Sequence, residues 1–271
     1  MRLNALKKAA ADAPRTPKLP VLFVGHGNPM NALETNRWSE AWKAMAASIA
    51  RPQAILCVSA HWLTEGTWVH GAEKPRTIHD FWGFPPELYA VRYPCPGDPG
   101  RAKETRKAVA SADVGWDLDW GVDHGTWSVL RRMYPEADVP VFQLSVDIAK
   151  PSAAHYAIGR DLAPLRERGV LIVGSGNLVH NLGMIAYEDD AKPFDWAVEF
   201  DALAAALIAK GDHRKLTAYE KLGHAAALSI PTPDHYWPLL YALGAAGEER
   251  ASFPVEGIAQ GSVSMRCVRF G

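Results

Sequence analysis

Pro20-Val-Leu-Phe-Val-Gly-His26-Gly-Asn-Pro-Met30 is the stretch that decides the fold. The unbroken apolar run Val21–Val24, bounded by Pro20 and Gly25, reads as a strand covered on both faces. Gly25 and Gly27 bracket a tight turn, where a missing side chain permits unusual backbone angles or a close approach. His26 is thereby held beyond the carboxyl end of the strand, where open α/β sheets gather their chemistry. The same pattern recurs. Ala54-Ile-Leu-Cys-Val-Ser59 is a second buried strand, and it runs into Ala60-His61-Trp62. Val170-Leu-Ile-Val-Gly174 is another, entering Ser175-Gly-Asn-Leu-Val-His180-Asn181. Between the first two, Trp38, Trp42, Met45 and Ile49 recur at helical spacing across Asn36–Ala50, which Arg51-Pro52 ends. Strand, helix, strand predicts a βαβ unit with parallel strands. His26, His61 and His180 then share one edge of the sheet.

The rest of the chain fits around this unit. Val139–Val146 reads as a strand, and Gly66–His70 as an edge strand. The aromatic loop Thr77-Ile-His-Asp-Phe-Trp-Gly-Phe-Pro-Pro86 is of a kind that packs over something. Helices are expected over Ala102–Ser111, Thr126–Tyr134, Ser152–Arg168 with a break at Pro164, and Trp196–Lys210. His124 falls just before the second of these. Residues 212–230 are partly helical. Thr232 suits an N-cap with Pro233 at the first helical position, so His235 would begin the helical run that continues through Trp237–Leu243. Gly261–Phe270 reads as a last strand. No repeat, low-complexity segment or linker divides the chain. The expected fold is α/β: one domain with a mostly parallel central sheet flanked by helices and its active site at the carboxyl ends of the strands. Residues 1–18, with Arg2, Lys7, Lys8, Arg15 and Lys18 against Asp12 alone, read as a mobile N-terminal extension without the apolar core of a secretory signal.

Composition narrows the function. A net charge of −1 gives no electrostatic case for nucleic acid or an anionic membrane. No apolar run is long enough to span a bilayer. Three widely spaced cysteines argue against a disulfide framework and for the reducing cytoplasm. Trp62, Trp82, Trp120 and Trp127 lie near histidines in sequence, either as core packing or as walls for a flat aromatic ligand.

Of the histidines, His70, His155, His213 and His224 read as structural. His26, His61, His180 and His235 share strand ends or a helix start, and a cluster of neutral imidazoles suits a divalent transition metal. No spacing matches a zinc finger or H-E-x-x-H, so an open catalytic site fits better than a structural zinc. Gly174-Ser-Gly-Asn177 could also cradle an anion.

Together, Gly-His26-Gly-Asn-Pro-Met, Ser-Ala-His61-Trp, Ile-His79-Asp-Phe, Asp-His124-Gly-Thr-Trp, Gly-Asn-Leu-Val-His180-Asn-Leu and Thr-Pro-Asp-His235-Tyr-Trp-Pro-Leu resemble the class III extradiol ring-cleavage dioxygenases, nearest to the 4,5-DOPA dioxygenase type. The resemblance spans residues 19–271, which it implies are one catalytic domain. Asn28 stands where many relatives have Ser, and Trp82 where Gly is common. The resemblance implies that His26, His61 and His235 hold the metal. It makes His180 the acid/base or a fourth ligand, and sets His124 against the substrate or oxygen. His79, Asn28 and Trp62 would contact the substrate. It further implies Fe(II) as the working ion, with Zn(II) able to occupy the same place in isolated protein. The partners would be a small catechol and O2, and the product a muconic semialdehyde. A monomer or small homo-oligomer is expected. Two other readings compete: a zinc hydrolase on the same histidines, and a non-catalytic metal-binding relative. The first is weakened because the sequence shows no acidic base beside a ligand.

Overall fold

The uninterrupted apolar runs need cover on both faces, and they obtain it in the middle of one sheet. A computed structural model describes residues 16–188 and 191–271. Its central sheet contains β1 (Val21–Gly25), β2 (Ala54–Ser59), β3 (Val141–Gln143), β4 (Val170–Gly176), β5 (Ala251–Val255) and β6 (Cys267–Phe270). Their order is β5-β6-β1-β4-β2-β3. β1, β4, β2 and β3 run parallel, β6 runs against β1, and β5 against β6. The register pairs Ser175 with Val24 on one side and Ser59 on the other, so β1, β4 and β2 end almost level. The expected α/β domain with a mostly parallel sheet is what forms.

Strand alternation sorts the apolar residues onto two cores. Val21, Phe23, Leu56, Val58 and Ile172 face one, closed by helices near residues 152–162, 195–209 and 237–246. Leu22, Val24, Ile55, Cys57, Leu171 and Val173 face the other. That side is closed by α1 (Arg37–Ala47) and α2 (His124–Met133). A capping box at Asn36 and Ser39 starts α1. The helix α3 (Trp237–Ala246) is buried at all ten positions, which explains why its sequence is apolar all round.

Several expectations need correction. The strand expected over Val139–Val146 breaks after Gln143, because the chain leaves the sheet and Val146–Asp147 pairs with Leu63–Thr64 instead. Thr67–His70 is a strand but not at an edge of the main sheet; it pairs in parallel with Val114–Asp117 in a ribbon of two. Gly261–Phe270 splits: Val263–Ser264 pairs with Ile258–Ala259, and only Cys267–Phe270 reaches β1. Thr232 is not an N-cap. The peptide N–H groups of Tyr236 and Trp237 both donate to the Pro233 carbonyl, and α3 starts at Trp237. His235 therefore sits in a turn ahead of the helix. The break foreseen at Pro164 does occur, with Ser152–Leu162 giving way to a 3-10 turn over Ala163–Arg168.

The mobile extension expected over residues 1–18 lies outside the described residues except for its last three. There Thr16 donates to the Glu167 carbonyl at 2.8 Å, and Lys18 pairs with Glu249. No helix among the described residues is long and apolar enough to cross a membrane. Cys57, Cys95 and Cys267 are unpaired and buried.

Candidate metal centre and active site

The turn after β1 presents His26 as its composition requires. Gly27 has φ +56°, and a Cβ there would lie 2.3 Å from Met265 Sδ. The positive φ disfavours a side chain there, and Met265 would have to swing aside for one. Asn31 Nδ2 donates to the His26 carbonyl at 3.3 Å and holds the turn closed. The ring of His26 is buried, and its Nδ1 lies 3.0 Å from Ser175 Oγ. That hydroxyl has one proton, which it gives to the Gly125 carbonyl at 2.6 Å. Ser175 must therefore accept from His26, so the proton of neutral His26 is on Nδ1 and its Nε2 carries a lone pair.

His61 follows β2, and its Nε2 lies 3.2 Å from His26 Nε2. Its Nδ1 is 3.3 Å from Asp80 Oδ2, which draws the proton to that side. Two lone pairs thus face each other, with no hydrogen assigned between them. A shared ion resolves this. Nitrogens each about 2.0–2.1 Å from one divalent ion stand roughly 3.0–3.4 Å apart. The donor atoms that lie within 4.8 Å of one another are those of His26, His61 and His124 and those of His180, Asp234 and His235, while the rings of His26, His61 and His235 form a triangle. Ring centroids are 5.0 Å apart for His26 and His61, 5.2 Å for His26 and His235, and 5.0 Å for His61 and His235. His235 Nδ1 is bound to Asp234, leaving Nε2 free. The donor set suits a divalent metal.

Two more imidazoles border the triangle. His180 stacks flat on His235, with centroids 3.5 Å apart and planes 8° apart. His124 lies beside His61 at 3.8 Å. It is the first residue of α2, whose start is fixed by the ends of two strands. Asp123 caps the helix by accepting from Thr126 N at 3.0 Å, and it also accepts from Ser59 Oγ and Gln143 Nε2, each at 2.7 Å. Phe81 sets its edge against His124 at 5.5 Å and packs on Phe84 and Tyr89. The aromatic loop thus lies over the first turn of α2, as its composition predicts.

Burial first, then the neighbouring imidazoles, holds His26 and His61 well below the usual 6.5. Burial and then His235 do the same to His180. All three are neutral and ready to ligate or accept a proton. The unfolded chain takes up these protons near pH 6.5 and the folded chain does not. Stability of the metal-free protein is therefore complete above about pH 6.5 and is lost as pH falls below it. Urea unfolding of metal-free protein between pH 7 and 5 is expected to show a loss approaching about 1.4 kcal/mol per pH unit for each of the three rings. A flat profile across that window would mean that the rings are not held neutral.

The comparisons with known proteins meet this geometry. Residues 20–266 match the family of the catalytic LigB subunit of aromatic ring-opening dioxygenase. The chain belongs to that family. A 4,5-DOPA dioxygenase extradiol of Escherichia coli K12 is 47% identical over 258 residues, covering 94% of this chain and 95% of the relative. One from Beta vulgaris is 39% identical, over 83% of this chain and 86% of the relative. A crystal structure of an uncharacterized protein from Escherichia coli K12 superposes with a TM-score of 0.82 at 42% identity, covering 94% of this chain and 100% of that one.

In this LigB-family chain, five of the residues expected at the site come together: His26, His61, His124, His180 and His235. Three stand apart. His79 Nε2 bonds the Val91 carbonyl at 3.0 Å, and its ring contacts are Phe81, Tyr89 and Trp127. Trp62 is buried and stacks on Trp120 at 5.6 Å. Asn28 caps the turn over Pro29–Ala32 through Met30 N and lines a cavity of about 630 Å³ with Met30, Gln260 and Met265. Of the tryptophans near histidines, Trp127 is buried and Trp82 is 87% exposed. Two of the four structural histidines bond tyrosine hydroxyls: His155 to Tyr241 at 2.9 Å and His213 to Tyr156 at 3.1 Å.

Sequence reasoning missed Asp80, Ser175 and Asp234, the partners on the Nδ1 side. It also held that no acid stands beside a ligand, and the structure overturns this. Asp234 lies inside the motif of its own histidine, whereas Asp80 and Ser175 lie in motifs picked out for other histidines. What was lacking was the rule that a ligating imidazole needs a partner on its other nitrogen.

Proposed function

We propose that this LigB-family protein is an extradiol dioxygenase. It opens the ring of a DOPA-like catechol with O2, next to the diol and outside it, and yields a muconic semialdehyde. The observation that carries this is the facing pair of Nε2 atoms on His26 and His61, 3.2 Å apart, with both protons drawn to Nδ1. The relatives named 4,5-DOPA dioxygenase extradiol support the substrate class.

His26, His61 and His235 would hold the metal. Fe(II) would be the working ion, with Zn(II) able to occupy the same nitrogens. Bound Fe(II) supplies a Lewis acid that favours catechol deprotonation and a redox capacity that zinc lacks. His180, kept neutral by burial and fixed by its stack on His235, takes a proton from the catechol and later returns one to the opened product. His124 Nδ1 lies 3.0 Å from Asp80 Oδ2, and its Nε2 would serve substrate or oxygen. Asn28 lines the cavity beside the His26 turn. Trp62 and His79 act at one remove, through the packing of Trp120 and the aromatic loop. Residues 19–271 would form one catalytic unit in the cytoplasm, as a monomer or small homo-oligomer; the unpaired cysteines agree with that compartment.

Asp80 and Asp234 do not favour the hydrolase reading, because both are engaged on the Nδ1 side of histidines. The deciding experiment is anaerobic loading with Fe(II), then oxygen uptake with a panel of catechols. An absorbing ring-opened product that requires Fe(II), and that zinc-loaded protein does not make, is expected. Metal-dependent ester or amide hydrolysis without oxygen uptake on any catechol would replace the dioxygenase by the hydrolase.

A further inference from the structure

One carboxylate touches both sides of the site. Asp80 Oδ2 lies 3.3 Å from His61 Nδ1 and 3.0 Å from His124 Nδ1. Its Oδ1 accepts the peptide N–H of His124 at 2.9 Å. Among the described residues no lysine or arginine forms an ion pair with it, so the two imidazoles are its charged-group partners. Asp123 caps α2 through Thr126 N, and Asp80 takes the separate N–H of His124 at the same helix start.

Three chain segments meet at this side chain: the end of β2, the first turn of α2 and the aromatic loop. We infer that Asp80 is a positioning residue that sets the direction and tautomer of His61 and His124 together, so that the metal-side and substrate-side imidazoles are aligned by one carboxylate. This rests on the assignment of His61 as a ligand in the proposed function. An anionic oxygen beside Nδ1 keeps the proton there and leaves Nε2 as the free donor atom. His26 has only a neutral hydroxyl in that place. The loop carrying Asp80 is anchored through Phe81 and His79, which gives those side chains a part in holding the site.

Asp80→Asn separates this role from packing. The amide keeps an oxygen for the His124 peptide but turns N–H groups toward the two imidazoles. Their Nδ1 atoms would then have to accept, and their protons would move to Nε2. Co(II) affinity of the purified protein, measured by chelator competition, is expected to fall about 10–100-fold, with a changed visible Co(II) spectrum. In zinc-loaded, 15N-histidine-labelled protein, His124 is expected to carry its proton on Nδ1 in the parent and on Nε2 in Asp80→Asn. His124→Gln assigns that resonance by removing it. Asp80→Asn with parent-like Co(II) affinity and spectrum would overturn the link to His61. A His124 proton found on Nε2 in the parent, or unmoved by the substitution, would overturn the link to His124. Should Asp80→Asn fail to fold, Asp80→Glu moves the carboxylate without removing it, and an unchanged Co(II) affinity and spectrum there overturns the proposal equally. None of these readouts needs turnover. A parent protein that binds Co(II) in this way but oxidises no catechol would defeat the dioxygenase reading and leave the positioning role standing.

Discussion

His61→Ala is expected to leave purification without iron and, after anaerobic incubation with Fe(II), to consume no O2 with any catechol. His26→Ala should behave the same way. Each removes one of three nitrogens whose rings stand 5.0–5.2 Å apart around one point. The loss should exceed the roughly 10–100-fold that removal of an outer partner costs. His180→Ala is the contrast. Its ring lies parallel to His235, alongside the triangle rather than within it. Much of the metal should remain while turnover drops by about 10²–10⁴, the span of general acid–base catalysis. Metal analysis and an oxygen electrode separate the two behaviours. If His180→Ala emptied the site and His235→Ala did not, the roles of these two histidines would be exchanged.

Gly176→Ala should damage the site without changing a histidine. A Cβ at Gly176 would lie 2.1 Å from the His235 carbonyl oxygen, a backbone atom with no side chain to swing aside. The same carbonyl accepts from Asn177 N at 2.9 Å, so the turn bearing His235 is clasped to the end of β4. Forcing a methyl between them costs about 2–3 kcal/mol and lifts the third imidazole off the site. Urea unfolding and Fe(II) affinity should both fall. Unchanged iron binding in a folded Gly176→Ala protein would show that the turn is not held by this approach.

The sheet was legible because three apolar runs each ended in small residues and then, directly or a few residues on, a histidine. That grammar follows from burial on both faces, and it located His26, His61 and His180 on one edge. Other features were set by contacts distant in sequence. The break after Gln143 arises because Val146–Asp147 finds Leu63–Thr64, which no local pattern announces. The split of Gly261–Phe270 depends on a hairpin with Ile258–Ala259. Thr232-Pro233 carries a valid helix-start signal, but the Pro233 carbonyl took up the N–H groups of Tyr236 and Trp237. His79 and Trp62 looked like pocket residues because they adjoin site motifs. In the fold His79 bonds the Val91 carbonyl and Trp62 stacks on Trp120, contacts that no local pattern announces. Asp80 was hidden for a related reason: its partners lie 19 and 44 residues away, counting from the pairs it makes with His61 and His124.

The order of the sheet has a bearing on how the protein is made. β1 lies between β4 and β6, so it gains its second neighbour only when residues 267–270 arrive. The third imidazole of the triangle, at position 235, also emerges late. While the ribosome still holds these residues, the growing chain carries His26 and His61 on a sheet lacking one flank and lacking the turn that closes the site. Closure of a three-histidine metal site is then a late event, waiting on position 235. Up to that point β1 presents an open edge able to pair with other nascent strands.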